Sequence, residues 1–209
     1  MRLDLLLVKR GYFSSRQRAK DYIRRGFVLV NGVRITKPSA EVDFNAKIEV
    51  LAEEKPRGYW KLKEIDERLK IFKGNEVVLD LGSSAGGFLL YASEKAKFVY
   101  GIEYSKEFEE ELKKIEESRD NVKIFIEDAF KFDVSKLPEI DLILNDLTLS
   151  FSSSMMALKR FLPKLRQNGR ILFVHKTGDK ESPNFKGFKI LASLDSKDRK
   201  ERYYLLSLP

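Results

Sequence analysis

Apolar positions follow two regimes along the chain, separated by a short polar stretch. Over residues 2–10, Leu3, Leu6 and Leu7 recur at helical spacing among charged residues and Gly11 follows, which predicts a short amphipathic helix stopped by a glycine. Ser14 or Ser15 can cap a second helix, Arg16 to Arg25, that turns Ala19, Tyr22 and Ile23 inward and ends at Gly26. Phe27 to Val30 reads as a strand, Asn31-Gly32 as a tight hairpin turn, and Val33 to Ile35 as the return strand, with a further strand at Lys47 to Leu51. Residues 52–57, AEEKPR, carry no apolar periodicity and read as a linker between domains at 1–51 and 58–209.

From Gly58 the pattern turns helical, with Trp60, Leu62, Ile65, Leu69 and Phe72 on one face. An apolar run, Val77 to Leu81, then breaks into a loop of glycine, serine and alanine before Phe88 and Leu89 open a helix. Beyond it strands and helices alternate: strand Phe98–Glu103, helix Lys106–Glu117, strand Val122–Glu127, strand Asp141–Asn145, helix Ser153–Leu165 and strand Arg170–His175. Such alternation predicts an α/β fold with a mainly parallel sheet covered on both faces. Two final runs, Phe188–Ser193 and Arg202–Leu208, lie a charged turn apart and predict a closing antiparallel hairpin.

Charge changes the picture of the first domain. Net charge is +8, and the first fifty residues hold eleven Lys or Arg against five Asp or Glu, whereas the rest is close to balanced at twenty-nine against twenty-seven. Arg16, Arg18, Lys20, Arg24 and Arg25 on one helix, with Lys37 beyond the hairpin, suit the phosphates of a folded nucleic acid; a solvated helix face is the plainer reading of the same run. The chain has no cysteine, which excludes disulfides, thiolate metal sites and a thiol nucleophile, and His175 is its one histidine, so no metal site is expected. Neither a membrane-length apolar run nor a signal-peptide pattern is present, so a soluble cytoplasmic protein without a membrane partner is expected. A charged fraction of 34% with only Gln17 and Gln167 as glutamines leans toward a heat-adapted source.

In α/β sheets reacting groups collect beyond the carboxyl ends of the strands, here Asp80, Gly82, Glu103, Asp128, Asp146 and Lys176. The loop spacing is GxxxGG, a loose match to a dinucleotide fingerprint, and Glu103 about twenty residues on stands where such folds place an acid for ribose hydroxyls. The same strand-to-helix turn also occurs without a ligand. No hydrolase triad, HExxH motif or phosphate-binding GxxxxGK loop is present.

Residues 1–50, with Arg2-Leu3-Asp4, Ser15-Arg16, the Gly26 to Gly32 hairpin and Lys37-Pro38-Ser39, resemble the small RNA-binding domain named after ribosomal small-subunit protein S-four. That resemblance implies structured RNA as the partner. DLGSSAGGF, residues 80–88, and RGYWKLKEI before it resemble the FtsJ-like RNA ribose methyltransferases, which carry a Lys-Asp-Lys-Glu tetrad. Residue by residue, the tetrad falls on Lys61, Asp146, Lys176 and Glu201. The two-domain order is similar to the TlyA family of ribosomal RNA ribose methyltransferases, some first described as haemolysins, and implies a Rossmann-like methyltransferase sheet behind a small α+β RNA-binding domain.

By the same resemblance the cofactor is S-adenosyl-L-methionine and the substrate ribosomal RNA or a ribosomal subunit, with cytidine as the methylated nucleoside. Gly82, Ser84, Gly86 and Gly87 would border its methionine part, Asp80 would face its ammonium, Glu103 would take the ribose, Asp128 the adenine amino group, and Phe130 would cover the ring. Lys176 is expected to act as base, provided burial and Lys61 keep its ammonium acidic. The competing reading is a non-catalytic RNA-binding or ribosome-assembly protein with a vestigial cofactor site. Three departures stand out: LTLSFSS follows Asp146, His175 precedes Lys176, and only about a dozen residues separate Lys176 from the closing hairpin, too few for the helix usual there.

Overall fold

The computed structural model describes residues 1–51, 55–178, 181–197 and 199–209, which divide into two compact units, Met1–Lys55 and Pro56–Pro209. In the first, helices α1 (Leu3–Lys9) and α2 (Arg16–Arg24) accompany a small antiparallel sheet in which β1 (Val28–Val30) lies between β2 (Val33–Arg34) and β3 (Ile48–Val50). Ser15 caps α2 by accepting the Arg18 N–H, and Asn31 and Gly32 take φ values of 51° and 79°, the left-handed pair that a two-residue hairpin demands. Leu3, Leu6, Leu7, Tyr22 and Ile23 form the buried side of these helices.

The second unit is built on seven strands. These are β4 (Val77–Leu81), β5 (Phe98–Glu103), β6 (Val122–Ile126), β7 (Ile140–Asn145), β8 (Leu165–Lys176), β9 (Lys189–Asp195) and β10 (Glu201–Ser207), in the spatial order β6-β5-β4-β7-β8-β10-β9. The first five are parallel, and β10 runs antiparallel between β8 and β9, so the closing hairpin joins the sheet with its second strand inward. Helices α3 (Arg57–Leu69), α4 (Gly87–Ser93) and α5 (Glu109–Glu117) supply Leu62, Ile65, Leu89, Leu112 and Ile115 to one apolar layer. Helix α6 (Phe151–Phe161) supplies Phe151, Met155, Leu158 and Phe161 to the other. Both faces of the sheet are therefore covered, as a parallel sheet requires.

Several boundaries differ from the sequence reading. Of the linker expected over 52–57, residues 52–54 lie outside the described residues, Pro56 caps α3 and Arg57 is its first residue. The helix expected over Ser153–Leu165 starts at Phe151 because Ser150 caps it, and it tightens into a 3₁₀ turn at Leu162–Lys164 around Pro163. Leu165 then opens β8, five residues before the expected Arg170. Between Lys176 and β9 the described residues contain no helix; Phe185 from that segment is buried against Phe151, Phe173 and Tyr204.

Candidate functional site

The sheet order reverses between β4 and β7: β4 is followed in sequence by its neighbour β5 on one side, while β7 lies on the other. In open α/β sheets such a reversal opens a crevice at the strand ends. Here the Asp146 N–H donates to the Leu81 carbonyl (3.4 Å), joining the two ends. Gly82, at φ 83°, leaves room for the chain after β7, since a Cβ there would come within 3.0 Å of Leu147 Cδ2. Ser84 is also left-handed (φ 48°), held by donating its N–H to Glu103 Oε2 at 2.7 Å. Small residues from β4 onward thus form a tight loop beside the crevice.

A cavity of about 540 Å³ occupies it, within the usual size of a small-molecule site. Gly82, Ser84, Glu103, Asp128, Phe130 and Asp146 line it. Glu103 Oε1 accepts the Ser105 N–H at 2.7 Å, so backbone donors fix both oxygens while leaving further lone pairs toward the cavity. Asp128 folds the opposite edge into a turn by accepting the Phe130 N–H at 2.9 Å. Glu103, Asp128 and Asp146, the loop backbone and an aromatic face make a donor and acceptor set that suits a nucleoside with a charged arm.

Not every expected contributor reaches this cavity. Asp80 is fully buried behind the loop, both carboxylate oxygens lack a hydrogen-bond partner, and burial pushes its carboxyl up to about 8. Gly86 and Gly87 are not in the wall; they face other elements. A Cβ on Gly86 would meet Ile115 Cδ1 at 2.1 Å, and one on Gly87 would meet Tyr59 N at 2.5 Å. These glycines are accounted for by the close approach of α4 to its neighbours. The wall adds residues the sequence did not single out, notably Tyr104, Phe108, Thr148 and Leu149. Tyr104 is the one with a sequence signal, an aromatic directly after Glu103.

Asp146 lines the cavity and also belongs to a closed ring of charges. Lys61 Nζ donates to Asp146 Oδ1 and Oδ2 (2.9 and 2.7 Å) and lies 2.9 Å from Glu201 Oε2; Lys176 Nζ donates to Asp146 Oδ1 at 2.8 Å and to Glu201 Oε1 at 2.7 Å. Each member comes from a different element: Lys61 from α3, Asp146 from the end of β7, Lys176 from the end of β8, and Glu201 from the start of β10 directly opposite Lys176 in the ladder. Lys61 is nearly buried, between the rings of Phe88 and Tyr203 at 5.6 and 5.9 Å. Tyr203, another residue the sequence reading passed over, donates its hydroxyl to Glu201 at 3.1 Å.

The ring's electrostatics correct one expectation. Burial works against the Lys176 ammonium, but the Asp146 and Glu201 carboxylates outweigh it and hold the group well above the usual lysine range. Burial would likewise raise Glu201, yet Lys61 and Lys176 hold it below the usual carboxylate range. In this arrangement Lys176 is a firmly held cation, and the condition that burial and Lys61 make it acidic is not met, because two carboxylates at bonding distance act more strongly than one lysine across the ring.

In the N-terminal unit Arg24, Arg25 and Lys37 are exposed, whereas Arg16 and Lys20 are partly committed inward. Asp4 has no solvent exposure and accepts from Arg2 (3.1 Å) and Arg16 (3.0 Å), with Lys20 at 3.9 Å. Burial is the largest single influence on its carboxyl and would raise it, but the hydrogen bonds and charges of Arg2 and Arg16 together outweigh burial and hold it below the ordinary range.

Residues 55–174 match the profile of the FtsJ-like methyltransferases, and residues 1–48 match that of the S4 domain. Hemolysin A of Brachyspira hyodysenteriae is 36% identical over 106 residues, covering 49% of this chain and 44% of that protein. The 16S/23S rRNA (cytidine-2'-O)-methyltransferase TlyA of Mycobacterium tuberculosis is 34% identical over 91 residues, 42% of this chain and 34% of that protein. The matched segments span less than half the length of these relatives. Among solved structures, the fibrillarin pre-rRNA processing protein of Methanococcus jannaschii shares the fold with a TM-score of 0.56 at 22% identity, covering 65% of this chain and 67% of that one. No helix among the described residues is long and apolar enough to cross a membrane.

Proposed function

Because the chain belongs to the FtsJ-like methyltransferase family, we propose that it methylates a ribose 2'-hydroxyl of ribosomal RNA with S-adenosylmethionine as donor, the S4 domain gripping structured RNA. The observation that carries this reading is the ring of Lys61, Asp146, Lys176 and Glu201, which meets the nucleoside-sized cavity through Asp146. Exposed Arg24, Arg25 and Lys37, with the outer parts of Arg16, Arg18 and Lys20, supply the phosphate contacts.

Gly82 and Ser84 border the methionine arm, Glu103 takes the ribose hydroxyls, Asp128 the adenine amino group, and Phe130 covers the ring. The bound cofactor supplies a methyl group on a cationic sulfur. A ribose hydroxyl is a weak nucleophile until its proton leaves, and Lys176 accepts that proton in the minor form in which its ammonium has first lost one to solvent, the neutral amine held in place by Asp146 and Glu201. Lys61 balances the two carboxylates, so the ring carries no net charge when both lysines are protonated and a single negative charge when Lys176 is neutral. Positioning by the ring supplies much of the acceleration, and the general base about a hundred- to ten-thousand-fold more.

The test is incubation with methyl-labelled S-adenosylmethionine and ribosomal subunits or stripped ribosomal RNA. Label in an alkali-resistant dinucleotide, where the 2'-oxygen can no longer attack the phosphate, is expected, with cytidine as the modified nucleoside. Label on a base, or in no RNA, overturns the reading.

A further inference from the structure

Behind the loop lies an acid that neither the ring nor the cavity wall uses. Asp80 is the fourth residue of β4, with zero exposure and two oxygens without a hydrogen-bond partner, and Ser83 Oγ beside it is also buried without one. The groups around it are few. Across the sheet its ladder partners are Gly101 of β5 and Leu144 of β7, neither of which carries charge, and α4 presents no charged residue. Lys61 of α3, Glu103 at the end of β5 and Asp146 after β7 are the charges that bear on it. Lys61 already serves Asp146 and Glu201, so Asp80 has two acids and no dedicated cation for company.

An ionised carboxylate without a partner is strongly disfavoured in such a place, and a carboxyl there takes up a proton instead. Burial, with Asp146 and Glu103 reinforcing it, raises Asp80 to about 8, against the pull of the Lys61 ammonium. A residue in the middle of an otherwise apolar stretch of β4 is then a neutral acid at pH 7, one loop away from the cavity. The loop between is the left-handed run of Gly82, Ser84 and Gly86, in which the Ser84 N–H donates to Glu103.

We propose that Asp80 is a proton-exchanging counter-ion: neutral in the empty protein, it ionises when an amino-acid ammonium docks at the loop, and its proton passes to the solvent. The O–H bond of the carboxylic acid breaks, the proton goes to buffer, and the carboxylate that remains is balanced by the arriving ammonium. The proposal rests on the cofactor reading above. It adds that binding of the amino-acid arm, and not of the nucleoside, is coupled to release of close to one proton near pH 7.

Titration calorimetry in two buffers of different ionisation enthalpy measures this directly. S-adenosylhomocysteine, which carries the ammonium, is expected to release close to one proton per site at pH 6.5–7, and 5'-deoxy-5'-methylthioadenosine, which lacks it, to release none. The affinity for S-adenosylhomocysteine should tighten by up to about tenfold per pH unit toward pH 8, then level as the ligand's own α-amino group loses its proton. In Asp80→Asn, which keeps size and shape, proton release should vanish. Equal release from both ligands, or undiminished release from Asp80→Asn, overturns the assignment. The carboxyl carbon-13 shift of Asp80 in the native chain reports the same proton without substitution: a shift unchanged when S-adenosylhomocysteine binds also overturns it. If neither ligand binds, the cofactor reading itself fails; if both bind without a proton, only this inference does.

Discussion

Lys176 donates a 2.8 Å hydrogen bond to Asp146, whose carboxylate is shared with Lys61 and also faces the cavity. The same bond that positions the lysine keeps it charged, so catalysis by Lys176 must show an unusual pH dependence. The rate of methyl transfer under subsaturating RNA should climb about tenfold per pH unit across the neutral and alkaline range without levelling, since the neutral amine remains the minor form throughout. A plateau near neutrality would mean that another group takes the proton.

Replacing the proposed base separates binding from chemistry. Lys176→Ala should lower turnover by about a hundred- to ten-thousand-fold with the affinity for S-adenosylhomocysteine unchanged. Lys176→Arg should be as inactive, because a guanidinium keeps its charge at any usable pH. Single-turnover assays paired with equilibrium binding measure both quantities, and an active arginine variant would argue for a purely positioning role.

Within the ring, Lys61→Met keeps the length of the side chain between Phe88 and Tyr203 but removes the charge. Two carboxylates then share one lysine, and the loss should be about 3 kcal/mol, the scale for breaking a buried ion pair from one side. Urea unfolding at pH 7 measures it. Part of the loss should be regained at lower pH, as the carboxylate left without Lys61 takes up a proton.

Backbone contact between α3 and α4 makes a sharper structural prediction. Gly87→Ala places a methyl 2.5 Å from Tyr59 N and 2.6 Å from Gly58 Cα, both backbone atoms that cannot move aside singly. Destabilisation of about 3 kcal/mol is expected, and because α3 carries Lys61, activity should fall with it. Gly178→Ala, where a Cβ meets nothing among the described residues within 4 Å, is the matched control and should unfold like the parent.

For the N-terminal unit the sensitive group is Asp4. Its carboxyl lies below the ordinary range when folded, so its contribution is fully present above the unfolded value of about 4 and is lost as pH falls through the folded value. Asp4→Asn should speed amide exchange in α1 and α2 at pH 7, and the difference from the parent should shrink below pH 4. A difference that persists in acid would assign the effect to packing instead.

Much of the molecule was legible before any coordinates, and for a local reason. The Asn31-Gly32 turn, a serine cap for α2 at Ser14 or Ser15, the burial of β4 and the small-residue loop after it depend on side chains within a few positions of one another, and turn chemistry and alternation report them directly. The four ring residues were a different case. Lys61 and Asp146 are 85 positions apart, and Lys176 and Glu201 are 25 apart; no periodicity links them, and a family likeness named them as a set. Their closure into one ring follows from strand order, which brings the ends of β7, β8 and β10 side by side and lays α3 over them.

What the chain's own letters could not carry is the state of those groups. A lysine after a buried strand can be an acid or a fixed cation depending on whether desolvation or two nearby carboxylates prevails, and only the distances of 2.7 and 2.8 Å settle that for Lys176. Glycine has the same ambiguity. At Gly82 the missing side chain makes room for Leu147 beside the cavity, whereas at Gly87 it lets two helices touch, and the two are indistinguishable until the neighbouring backbone is in place. Asp80 completes the contrast: its position in an apolar strand was plain from the start, but that it has no partner is a property of everything packed around it.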